Sequence, residues 1–168
     1  MSLERALSSA LEGRVVVVGI GNRLRGDDGV GSALAGVLIK AGVPRVFDGQ
    51  DLPDAMVADV AASSPDTVLL VDAVDLGAEP GSVALLGRGQ TMSYLPTTHR
   101  IPADLLMEVL ETETGARCML LGVQPATAEF GRSMSSEVAA ALDLLAGLLI
   151  RVLGADRSPG AACPSEDS

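Results

Sequence analysis

Three side chains in this sequence have the chemistry of a cation site. Asp28 lies within GIGNRLRGDDGVG at 19–31, Asp72 closes the apolar run TVLLV, and His99 is the only histidine. Carboxylate oxygen combined with imidazole nitrogen suits a borderline divalent ion such as nickel or zinc. Three protein ligands leave positions open for water or an incoming ligand. Each residue also has a plainer reading. Acids at a helix start cap free N–H groups and favour the positive end of the helix dipole. One acid suffices for that, so Asp27 is expected to be the cap and Asp28 the candidate ligand. Asp72 could equally cap a turn, and Asp75 reads as a turn residue. A lone histidine is more often a surface or satisfied core residue than a ligand.

Other chemistries fit less well. A single His rules out the HExxH and three-His zinc sites, and no G-x-S-x-G elbow supplies a serine nucleophile. Cys118 sits in an apolar run and reads as an inert core thiol. Cys163 lies in a polar stretch, and neither has a CxxC partner, so a zinc ribbon or thioredoxin-like site is excluded. The glycines of the first loop invite a dinucleotide-binding reading. Gly19 and Gly21 match its first two positions, but Leu24 stands at the third. Asp27 and Asp28 would also repel a pyrophosphate at the helix start.

The whole-chain charge agrees. Twelve Lys plus Arg against 22 Asp plus Glu give a net charge of −10, and aromatics are 2%. That disfavours both an electrostatic nucleic-acid binder and a base-stacking platform. The N-terminus lacks the continuous apolar core of a secretory signal. The most apolar stretch, Val138–Ile150, is interrupted by Asp143 and is shorter than the ~20 residues of a membrane span. A cytoplasmic protein without nucleic-acid binding or membrane insertion is expected, and two cysteines suit a reducing compartment.

The elements that must position these residues follow from periodicity. At 168 residues one domain is expected. Continuous apolar runs at 14–20, 67–71 and 117–123 read as buried parallel strands. Shorter strands are expected at 45–47 and 82–86. A short amphipathic helix at the N-terminus, within 1–12, should pack on the surface or fray. Helices follow Asp27–Asp28, surround Val60, start at Pro102 with Leu105, Leu106, Val109 and Leu110 on one face, and run from a Ser135 or Ser136 cap to about Leu153. Residues 48–53 and 87–99 read as polar loops. Strands alternating with helices predict an α/β fold: a single three-layer domain over residues 1–155, with a mostly parallel sheet of about five strands and helices on both faces. Residues 156–168 are expected to be a disordered tail whose deletion leaves activity unaltered. Sites in such sheets lie beyond the carboxyl ends of the strands, which directs attention to the loops beginning at Gly21, Asp48 and Asp72 and to the one holding His99.

At these residues the chain resembles the nickel-iron hydrogenase maturation endopeptidases. GIGNRLRGDDGVG at 19–31, VDAVDLGAEPG at 71–81, TTHRIP at 97–102 and LLGVQPATAEFGRSMSSEV at 120–138 carry the match, in order, across roughly residues 14–152. The EPG turn, the TTH-x-x-P segment and the GVQP strand end resemble the hydrogenase-3 (formate hydrogenlyase) branch. The resemblance implies an aspartic-type or metal-assisted endopeptidase. It would remove a C-terminal extension from the hydrogenase large-subunit precursor after nickel insertion. It further implies that Asp28, Asp72 and His99 are the catalytic, metal-binding positions. The nickel would be supplied by the precursor, with no stored cofactor. Separately, a monomer is expected. The family usually carries an Asp-Gly-Gly-Thr or Ser segment after the second strand, implicated in substrate recognition. Here it reads Asp48-Gly49-Gln50-Asp51. Asp48 and Gly49 fit as recognition residues, whereas Gln50 and Asp51 depart, which bears on the identity of the partner hydrogenase. Two other classes compete with this reading: a non-catalytic, metal-dependent partner of the precursor, and a nucleotide-binding Rossmann-like module.

Overall fold

A computed structural model describes residues 1–51, 53–91 and 101–154. Five strands form one sheet in the order β2-β1-β3-β5-β4: β1 (Val15–Ile20), β2 (Val46–Gln50), β3 (Thr67–Ala73), β4 (Val83–Gly87) and β5 (Arg117–Val123). β2, β1, β3 and β5 run parallel, and β4 closes one edge antiparallel to β5. β1 is buried along its whole length and β3 nearly so. This is what a strand covered on both faces requires of the runs VVVVGI and TVLLVDA. Successive side chains alternate between faces. Val15 and Val17 join a core with Leu7 and Leu11, Leu34 and Leu38, and Leu145 and Leu149. Val16, Val18 and Ile20 join a second core with Val60, Leu106 and Leu110. Helices α1 (Leu3–Ala10), α2 (Val30–Lys40) and α5 (Ser136–Leu153) therefore cover one face. The other face is covered by α3 (Val57–Ala62) and α4 (Ala103–Thr114). The α/β three-layer expectation holds. Among the described residues no helix is long and apolar enough to cross a membrane.

Several local expectations are corrected. α1 is not one of them: it packs on the surface, the first of its two expected outcomes, with Leu7 and the following Leu11 buried in the first core. β2 does not stop at Phe47. It continues through Asp48 and Gly49 to Gln50, pairing with β1 through a bulge in which Gly19 faces Asp48 and Ile20 faces Gln50. Pairing with the neighbouring strand holds so polar a segment in the sheet, and a bulge at its end re-aims the chain. In α4 the buried residues are Leu106, Met107 and Leu110, whereas Leu105 and Val109 are exposed. The helix is apolar around more of its circumference than it buries.

The connections set the position of the site. From β1 the chain passes through α2 to β2, then through α3 to β3 on the other side of β1. The order reverses between β1 and β3. Their carboxyl ends therefore flank a crevice of the kind where open parallel sheets place their sites.

Candidate active site

The loop after β1 enters this crevice as a 3-10 turn, Gly26–Gly29, before α2 begins. Asp27 and Asp28 both lie in the turn and both are fully buried. Close backbone contact holds the turn against the sheet. A Cβ added to Gly31 would meet the carbonyl oxygens of Val71 at 2.1 Å and Ile20 at 2.3 Å. One added to Gly19 would meet the Gly31 carbonyl at 2.1 Å, and one on Gly21, at φ +145°, would meet that of Asp28 at 1.9 Å. The glycines of the first loop thus let β1, the turn and α2 touch backbone to backbone.

Asp28 faces the carboxyl end of β1, where the Asn22 N–H donates to its Oδ2 at 3.0 Å. Asp72 is the penultimate residue of β3, immediately after the Val71 carbonyl on which Gly31 rests. It is half-buried, and the Ala73 N–H donates to its Oδ1 at 2.8 Å. The next segment is held by Gln124, the residue after β5, whose Oε1 accepts from the N–H groups of Leu76 at 2.6 Å and Ala78 at 3.3 Å. Asp75 closes an Asx turn on the Gly77 N–H, in keeping with its reading as a turn residue. His99 lies outside the described residues. Among the described residues no three His, Cys, Asp or Glu side chains are grouped closely enough to hold a metal ion.

Asp48 is at the end of β2, on the other side of the first loop. Its Oδ2 pairs with Arg23 at 3.3 Å and its Oδ1 accepts the Gln50 N–H at 3.1 Å. Arg23 is itself fixed along α2, donating from Nε to Ser32 Oγ at 2.9 Å and from Nη2 to the Ser32 carbonyl at 2.7 Å. Gly49 is buried against β1, and Gln50 adopts φ +49°, a left-handed backbone that favours glycine. Gln50 holds this conformation without glycine's freedom. Residues 21–24, Ser32, Asp48, Gln50 and Asp51 line an open cleft of about 450 Å³.

The expectation for Asp27 is overturned. Neither the 3-10 turn nor α2 has a side-chain cap. Asp27 instead reaches across the fold to the segment between β5 and α5. Its Oδ2 accepts from Ala126 N at 2.8 Å, Thr127 N at 3.2 Å and Ser135 Oγ at 2.8 Å, and its Oδ1 accepts from Ser135 N at 2.7 Å. The partners lie about a hundred positions away in sequence, so no local spacing rule could have found them. Cys118, the second residue of β5, is buried and its thiol is pushed up to about 12, first by burial and then by Glu111, with Arg88 opposing. It is an inert core residue, in keeping with its apolar setting.

A family model described as hydrogenase maturation protease, HycI, matches residues 30–152. The hydrogenase 3 maturation protease of Escherichia coli (strain K12) is 29% identical over 133 residues, covering 76% of this chain and 83% of that protein. The crystal structure of a NiFe hydrogenase maturation protease HycI from Thermococcus kodakarensis superposes with a TM-score of 0.81 at 28% identity, covering 89% of this chain and 99% of that one. The solution structure of the endopeptidase HycI from Escherichia coli gives a TM-score of 0.69 at 26% identity, covering 84% and 90% of the two chains.

Proposed function

The chain belongs to the HycI family of hydrogenase maturation proteases, and we propose that it removes the C-terminal extension of a nickel-iron hydrogenase large-subunit precursor after nickel insertion. One observation carries this reading from the protein's own side: the turn with Asp28 and the strand end with Asp72 meet in the switch-point crevice, joined through the Gly31–Val71 contact. Asp28, Asp72 and His99 grip the nickel that the client brings. Two carboxylates and an imidazole, with no thiolate, make a modest nickel site. The client's own cysteine thiolates complete the coordination, so the protease stores no metal. The gripped ion anchors the client, orients the nearby peptide, and polarises its carbonyl or a water. Hydrolysis adds that water across the amide and releases a carboxylate and the amine of the extension. The positive end of α2 lies beside the developing charge. Asp48 forms the recognition edge, with Gly49 buried behind it against β1, and the cleft that Asp48 shares with the first loop receives the client chain.

The test is incubation of the purified protein with a matched precursor, with and without nickel, read by intact mass. We expect loss of the extension only from the nickel-loaded precursor. Asp28→Ala, Asp72→Ala and His99→Ala should each slow processing by about 100-fold or more, with circular dichroism unchanged. Binding of the nickel-loaded precursor without a mass change would make the protein a non-catalytic partner. Undiminished cleavage by all three variants would remove the site assignment.

A further inference from the structure

Asp27 is a buried carboxylate that the proposed chemistry does not use. It accepts four hydrogen bonds from Ala126, Thr127 and Ser135, all on one distant segment. Backbone bonds reinforce the same junction: Gly26 N–H donates to the Arg132 carbonyl at 3.0 Å, Asp27 N–H to Thr127 at 2.9 Å, and Gly131 N–H to Leu24 at 2.7 Å. The next residue in the turn is Asp28, whose carboxylate is held on the opposite side by the Asn22 N–H. We infer that Asp27 is a positioning residue: by locking the 3-10 turn to the 126–135 segment it fixes where the Asp28 carboxylate sits. The requirement is for a carboxylate in particular. An ionised Asp is acceptor-only and can meet four donors, whereas the amide of Asn would turn an NH₂ towards N–H groups already there. Such a clash moves the turn, and Asp28 moves with it.

The inference about Asp28's placement stands without any assumption about function. Its consequence for processing rests on the proposed proteolysis. Backbone amide exchange in Asp27→Asn reads the placement directly, because the Asn22 amide reports on the Asp28 carboxylate. We expect protection to fall by at least about tenfold at Ala126, Thr127 and Ser135 and also at Asn22. Ser135→Ala, which removes one of the four donors together with the α5 cap bond from the Val138 N–H, should give a smaller loss at Ala126, Thr127 and Asn22, and keeps the test available if Asp27→Asn does not fold. Loss confined to residues 126–135, with Asn22 protected as in the parent, would reduce Asp27 to a loop staple and overturn the inference. Steady-state processing supplies the second readout. A positioning role lowers kcat with KM little changed, and Asp27→Glu, which keeps the carboxylate, should recover part of the loss. Normal processing by Asp27→Asn despite lost Asn22 protection would show that Asp28's placement does not govern cleavage. It would then be the catalytic reading, not the positioning one, that fails.

Discussion

Two identical side chains, adjacent in sequence, have opposite destinations because a 3-10 turn advances about 120° per residue. Asp27 turns towards the 126–135 segment and Asp28 towards the end of β1. The resemblance is what implies Asp28 rather than Asp27 as the candidate ligand; the geometry adds that the Asp27 carboxylate already accepts from four donors. Cys118 is the opposite case, a reactive residue type made unreactive by its surroundings. Reactivity belongs to the thiolate, and burial pushes this thiol up to about 12. The sequence has two cysteines, so Cys163→Ser leaves Cys118 as the sole thiol. That variant should resist iodoacetamide at pH 8 while folded and take up one label in denaturant. Rapid labelling of the folded protein would show that β5 opens readily and that the thiol is not inert.

The central strands are legible in the sequence because a strand covered on both faces must be apolar throughout, and the runs in β1, β3 and β5 have no other soluble use. The end of β2 is not. Asp48, Gly49 and Gln50 have low strand propensity, and what holds them in the ladder is pairing with Gly19 and Ile20, a non-local contact. The Asp27 junction is hidden for the same reason, and so is Arg23 lying along α2 between Ser32 and Asp48. The start of α4 shows a further device that only the fold reveals. Asp104 accepts from the Thr91 hydroxyl and the Gly89 N–H, tying the helix to the end of the turn after β4. These two bonds, Thr91 first, hold its carboxyl below the usual value; Arg88 adds to them and partial burial opposes them. A depressed folded value contributes stability above the unfolded carboxylate range, ~3.9, and loses it as pH falls through the folded value. The Gly89 amide resonance should therefore stay constant from pH 7 to about 4 and shift only below that range. In Asp104→Asn it should be displaced at every pH. A midpoint at or above the ordinary carboxylate value would show that the tie is not formed in solution.

At the scale of the molecule, the site depends on a sheet that cannot shift between its two helical layers. The crevice exists because α2 leaves β1 on one face while α3 delivers the chain to β3 from the other. The turn carrying Asp28 rides on α2, and α2 is backed in turn by α5 within the same core. The burial phase of α5 is thus a statement about the site as well as about stability. Leu145 is wholly buried in that core, and its neighbour Leu144 is 58% exposed. Leu145→Ala removes buried volume and should cost about 2–5 kcal/mol, whereas a surface substitution such as Leu144→Ala should stay within about 0.5 kcal/mol. Urea unfolding of both variants, with unchanged m-values, checks the pair. Equal losses would mean that α5 is rotated away from the orientation that buries Leu145 and exposes Leu144. The backing of α2, and with it the approach of Gly31 to the Val71 carbonyl, would then need another explanation.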